Sequence, residues 1–258
     1  MLSLVALGCH GGADPAFTQL VEARGLADDL RVQLAKASDA SDRAVMADTD
    51  QESIAFARDA GKATQTIEAD AASLTARLQS LGYAADVRAL QDFTGHFAAY
   101  RDLDRNVLDL AVQNTNLKAQ RLSFGPVREA ADGIRDALGA VALSAPAKDR
   151  CRVGALVARA ELAVREIQIL QAPHIAEPDE AAMAKIEKEM AERQATARDA
   201  LETLAAGASA ASRRQLDAAG VALDRFDKLS AELVALSRRN SNVRSLALAL
   251  RRAPALVS

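Results

Sequence analysis

Residues 103–119 read LDRNVLDLAVQNTNLKA, and residues 229–245 read LSAELVALSRRNSNVRS. At a constant offset of 126 residues the two stretches share the core Leu-x-x-x-Asn-(Thr/Ser)-Asn-(Leu/Val)-(Lys/Arg)-(Ala/Ser), from Leu110 to Ala119 and from Leu236 to Ser245. Tyr100 falls over Phe226, Phe97 over Leu223 and Leu122 over Leu248. Apolar residues recur every three or four positions through both copies. One stripe runs Phe93, Phe97, Tyr100, Leu103, Val107, Leu110, Asn114, Leu117, Arg121; the other runs Leu223, Phe226, Leu229, Leu233, Leu236, Asn240, Val243, Ala247, Leu250. Such a seven-residue repeat belongs to near-parallel helices packed knobs into holes. A weaker echo at an offset of 129 joins Thr49–Ile54 to Pro178–Met183, so the chain reads as a helical hairpin used twice.

Working outward, Pro and Gly punctuate the chain in few places. The first helix opens at Asp14-Pro15, an N-cap followed by Pro at the first helical position, and stops at Leu81-Gly82. Inside it, Thr49 and Glu52 form a capping box where a kink or restart is expected. The second helix runs from about Asp86 to Leu143. The third runs from about Ala147 to Ala206, interrupted at Ala172–Asp179 by two prolines, and the fourth from about Ser209 to Arg252. Helices of roughly 65–100 Å at ~1.5 Å per residue bury their faces only against each other. Short connections make neighbours antiparallel. The expected fold is all-α: an elongated antiparallel up-down-up-down four-helix bundle over residues 14–252, between tails at 1–13 and 253–258.

Composition agrees. Half of the 258 residues are hydrophobic and 26 % are charged, too apolar for a disordered chain. Aromatics at 3 %, six prolines and no Trp argue against a sandwich, a barrel or a disulfide scaffold. Thirty-five acidic against 32 basic residues leave a net charge of −3, which offers nucleic acid no excess of cations.

The apolar run Met1–Gly8 ending at Cys9 is similar to a bacterial lipoprotein signal, with Cys9 as the lipidated residue. On this reading the protein is periplasmic, or anchored to the inner or outer membrane by lipid alone. The alternative is a cytoplasmic chain with an incidental cysteine. Cys151 has no Cys-x-x-Cys or His partner at metal spacing, and no run reaches the length of a membrane span.

Asn114 and Asn240 occupy stripe positions, so both must find hydrogen-bond partners inside the bundle, facing each other near a pseudo-twofold. One reading is structural: a core Asn fixes register. The other is a polar cavity for a small ligand, lined by Asn114, Asn116, Asn240 and Asn242. Lys118, Arg121, Arg238 and Arg244 would then supply charge for a carboxylate or phosphate. Arg and Lys at such positions also serve as solvated faces. His174, beside Glu177, Asp179 and Glu180, reads as a metal ligand or pH sensor, or as a turn histidine among capping acids. Scattered histidines give no Glu-x-x-His pairs, so no metal site or cofactor is expected. Nucleophile-elbow, Walker and dinucleotide-binding motifs are absent, and no enzymatic activity is expected.

The segments Asp42–Ser53, Asn114–Phe124 and Leu236–Leu248 resemble the extracytoplasmic four-helix-bundle sensor module of methyl-accepting chemotaxis proteins and related histidine kinases. The resemblance spans residues 16–252. It implies signal transduction: reception of a small polar ligand or a partner protein, relayed as helix displacement to a receptor or kinase partner. A homodimer formed through a helix face is compatible with this reading. Membrane spans and a cytoplasmic signalling segment, which flank that module in its family, are not seen here. The rival expectation is a structural cell-envelope lipoprotein or helical interaction module that binds no small molecule.

Overall fold

The computed structural model describes residues 15–252; Cys9 and both tails lie outside them. The described chain is all-α, with nine helices and no strand. They are α1 (Pro15–Met46), α2 (Asp50–Ser80), α3 (Ala84–Ala111), α4 (Thr115–Leu122), α5 (Arg128–Ser144), α6 (Arg150–Ala176), α7 (Glu180–Ala206), α8 (Ala210–Arg239) and α9 (Ser241–Arg252). A five-residue π turn over Ser123–Val127, containing Pro126, joins α4 to α5.

Each of the four long helices expected from sequence is broken at least once, so that helices outnumber the expected four, and the chain divides into two compact units. Of the described residues, 15–112 and 248–252 belong to one unit, and 113–247 to the other. Two of the breaks are reversals. Thr49 caps α2 by accepting from the Glu52 backbone N–H at 3.2 Å, and Asp179 caps α7 by accepting from Ala182 N–H at 2.7 Å. A capping residue has extended backbone, which ends the preceding helix and lets the chain turn. The capping box of the first unit is therefore a hairpin corner, and so is its echo in the second. The corner in the second unit falls within the interruption expected at Ala172–Asp179, at its second proline: α6 continues through Pro173 to Ala176.

In the first unit α1 and α2 run antiparallel. Ser80 Oγ donates to Gln19 Oε1 at 3.3 Å, Arg77 pairs with Glu22, and Ser53 Oγ donates to the Ala44 carbonyl at 3.0 Å. Gly82, at φ +77°, stops α2, and α3 returns beside it, tied by Arg101 to Glu68 at 2.7 Å. The core sets Leu30, Ile67, Leu74, Phe97 and Tyr100 among alanines, whose small side chains let the helices approach closely. The last turn of α9 completes this unit: Arg252, buried, bonds Ser41, Asp42 and Asp104.

In the second unit α6 and α7 form the equivalent hairpin, held by Glu166–Arg193 at 3.0 Å and Arg159–Asp199 at 3.1 Å. Helix α8 packs beside α7, and α5 lies against α6 and α8. Ile134, Leu138, Leu223, Phe226 and Leu233 are almost wholly buried in its core. Each such large side chain contributes about 1.5–3 kcal/mol of burial free energy.

Candidate functional site

The two remaining breaks carry the first Asn of each copy of the duplicated motif. Asn114 (φ 49°) and Asn240 (φ 51°) sit in the left-handed region, which among non-glycine residues Asn tolerates best. Each precedes a new helix, α4 at Thr115 and α9 at Ser241; Asn240 directly follows α8, whereas the turn Val112–Gln113 separates Asn114 from α3. A left-handed residue rotates the helix phase, so the stripes do not continue past it. Thr115, Asn116 and Ala119 are buried while Arg121 is exposed; Ser241 and Ser245 are buried while Leu250 is 75 % exposed.

A helix start leaves backbone N–H groups without intrahelical partners. Here the two starts satisfy each other. Thr115 N–H donates to Ser241 Oγ at 3.0 Å, and Ser241 N–H donates to Thr115 Oγ1 at 3.1 Å. One step further, Asn116 N–H donates to Asn242 Oδ1 and Asn242 N–H to Asn116 Oδ1, both at 3.2 Å. The side-chain amides continue the exchange: Asn116 Nδ2 donates to Asn240 Oδ1 at 2.8 Å, and Asn242 Nδ2 to Asn114 Oδ1 at 2.9 Å. Matching residues of the two copies thus meet about a local twofold. Four acceptor oxygens stand between two helix N-termini whose positive dipole ends would otherwise repel.

This crossover is also stitched to the α6–α7 corner. Asn116 Nδ2 donates to the Ile175 carbonyl at 2.7 Å, and Asn240 Nδ2 to the Glu177 carbonyl at 2.9 Å. The corner contacts break the symmetry, and Asn114 Nδ2, the counterpart of Asn240 Nδ2, is buried and has no partner among the described residues.

His174 is fully buried next to the crossover, neither in a turn nor solvated. Its Nε2 lies 2.9 Å from Glu187 Oε1 and its Nδ1 lies 2.8 Å from Ser237 Oγ, whose hydroxyl donates to the His174 carbonyl at 2.9 Å. Arg238 grips Glu187 with two hydrogen bonds, at 2.6 and 2.8 Å. Those bonds lower the Glu187 pKa below its ordinary value, against the opposing effect of burial, and the His174 hydrogen bond adds to them. Glu177, Asp179 and Glu180 do not surround the ring, and no group of residues suited to a metal ion occurs among the described residues.

Of the cations expected around the asparagines, Arg238 is committed to Glu187, and Lys118 Nζ donates to the Gln113 carbonyl at 2.8 Å. Arg121 and Arg244 are exposed on α4 and α9. Buried members not expected from the sequence include Gln171, Ser230 and Ser237. Gln171 accepts from Ser123 Oγ at 2.6 Å and donates to Ser230 Oγ at 3.5 Å. The sequence carries a trace of them, since Ser230 and Ser237 lie seven residues apart on α8, and Gln171 and His174 three apart on α6. No helix among the described residues is long and apolar enough to cross a membrane. Comparison with protein-family models, with curated proteins and with solved structures gives no match.

Proposed function

We propose that the chain is a non-enzymatic, sensor-type helical module of four-helix-bundle character that binds a small polar ligand or a partner protein and relays the event as helix movement. The crossover carries this reading. Each of the two helix starts is capped by the other copy's side chains, so neither α4 nor α9 can shift without disturbing its counterpart or the α6–α7 corner. The exposed Arg239 and Arg244 flank it with positive charge suited to a carboxylate or phosphate, and the resemblance to chemoreceptor sensor bundles points the same way. The near-complete internal pairing of the crossover favours the second reading, a structural envelope protein or interaction module without a small ligand.

Thermal unfolding of the wild-type chain and of Asn240→Leu, each with a panel of small carboxylates and phosphates, separates the two. A sensor shows a concentration-dependent rise in Tm that Asn240→Leu abolishes. A structural protein shows no ligand-dependent shift in either form. The proposed anchor is tested by mass spectrometry of the native N-terminus, which should find acylated Cys9; an intact Met1 in a cytosolic fraction removes it.

A further inference from the structure

The corner between α6 and α7 leaves one carbonyl short of its usual donor. Near the end of α6, the His174 carbonyl would ordinarily accept from the backbone of residue 178, which is Pro178 and has no N–H. In the first unit the matching carbonyl, that of Ala44, also third from its helix end, accepts at 3.0 Å from the hydroxyl of Ser53, the fourth residue of α2. The fourth residue of α7 is Met183, which has no hydroxyl to give. The donor comes instead from α8: Ser237 Oγ donates to the His174 carbonyl at 2.9 Å, and both residues are fully buried.

That bond fixes the protons on the imidazole ring. A serine hydroxyl has one hydrogen and here the carbonyl takes it, so Nδ1, 2.8 Å from the same oxygen, must donate to it. Nε2 faces Glu187 Oε1 at 2.9 Å, and Glu187 is kept ionised by two bonds from Arg238, so Nε2 must donate as well. Every bond is made only when the ring carries both protons, as an imidazolium whose charge Glu187 balances. Around the ring, α7 presents Glu187 and α8 presents Ser237, with Arg238 behind the carboxylate and Glu180 acting on Arg238 in turn. Glu177 and Asp179 accept from the backbone N–H groups of Asp179 and Ala182, and α4 brings the neutral Asn116 to the Ile175 carbonyl. Once Nδ1 gives up its proton, it becomes an acceptor. The Ser237 hydroxyl then turns to Nδ1 and deserts the carbonyl, or stays and sets two lone pairs against each other. Either way the corner loses a buried hydrogen bond, beside the Ile175 and Glu177 carbonyls that hold Asn116 and Asn240 of the crossover.

We infer that His174 is a proton-operated latch on the α6–α7 corner: with both ring nitrogens protonated it holds the corner closed, and loss of the Nδ1 proton loosens the corner and, through Asn116 and Asn240, the starts of α4 and α9. The proton thereby becomes an effector of the crossover in its own right. Its signalling meaning rests on the function proposed above. The latch is read without any ligand, whereas the thermal-shift experiment reads small anions, so the two can fail separately.

The test uses the whole chain labelled with nitrogen-15. Long-range NMR spectra of the three histidine rings follow Nδ1 and Nε2 of His174 from about pH 5 to about pH 9. Its signals are assigned by elimination, since His10→Gln and His96→Gln each remove one of the other rings. Both nitrogens should be protonated at the acid end, and Nδ1 alone should lose its proton as the pH rises. With the same midpoint, hydrogen-exchange protection at Thr115, Asn116, Ser241 and Asn242, corrected for the intrinsic rate, should fall about fivefold or more. In Ser237→Ala the ring should still titrate while the protection, already low, stays level. Glu187→Gln removes the balancing charge, so ring and crossover should both change at lower pH. Three results overturn the inference. One is Nδ1 in a single state across the whole range, and another is a titrating ring that leaves the protection unchanged. The third is a crossover in Ser237→Ala that follows pH as the wild type does. The first two are read on the wild-type ring and crossover, so they stand whatever the stability of the Ser237 and Glu187 variants.

Discussion

At Asn114 and Asn240 one residue type performs two tasks: it takes the left-handed backbone that precedes a new helix, and its amide oxygen accepts from the opposite copy. Their environments differ by one bond, since Asn240 Nδ2 reaches the Glu177 carbonyl and Asn114 Nδ2 reaches nothing among the described residues. Asn240→Ala therefore loses two hydrogen bonds and strains the backbone, at a cost of about 3 kcal/mol. Asn114→Ala loses one bond and removes an unpaired buried donor, so its cost should be smaller by about 1 kcal/mol. Urea unfolding of the two variants checks the order; equal losses would mean that the extra bond contributes nothing. Glu187 supplies a pH test. Its pKa lies below the ordinary 4.5 in the folded chain, chiefly through Arg238, so its contribution is full above that value and is lost as pH falls through the folded pKa. Relative to Glu187→Gln, the wild type should lose up to about 1 kcal/mol on acidification below pH 4.5.

At the scale of elements, the two hairpin corners are copies of one device. Thr49→Ala and Asp179→Ala each remove a side-chain cap, and each should cost about 1 kcal/mol, measured as the shift in urea midpoint. Replacement by Gly should cost only a few tenths of that, because the backbone conformation survives. The corners also explain why reading helices by periodicity overshot. Apolar spacing runs on through Ala47–Thr49 with little interruption, and neither a capping box nor the prolines at 173 and 178 say which way the preceding helix points. Only the cross-hairpin bonds, such as Ser53 to the Ala44 carbonyl, show a reversal rather than a kink.

For the whole molecule, the last turn of α9 ties the C-terminal end of the described chain into the first unit through a buried charge cluster. Arg252 and Asp104 are each about 3 % exposed. Arg252→Met leaves Asp104 buried and unpaired and should destabilise the first unit by about 3–5 kcal/mol, while Arg252→Met/Asp104→Leu should recover most of that loss. Hydrogen exchange during unfolding, read separately on α1 and on α8, reports the two units independently. The same cluster predicts alkaline sensitivity. Burial, with the Asp104 charge adding to it, raises the Tyr100 pKa to about 12. A group whose folded pKa lies above its unfolded value near 10 stabilises fully below pH 10 and loses that contribution as pH rises to 12. The loss should be about 2–3 kcal/mol, absent in Tyr100→Phe.

The all-α class, the duplication at an offset of 126 and the meeting of the two Asn-x-Asn segments are readable from the chain alone, because helix propensity, heptad spacing and repeated residues are local or linear properties. The positive φ of Asn114 and Asn240, the reversals at 47–49 and 177–179, the buried His174–Glu187–Arg238 chain and the division into two units are not. Those depend on which distant side chains arrive to satisfy a broken helix end. That choice belongs to packing in three dimensions, where an orphaned N–H is worth as much as a turn of helical propensity.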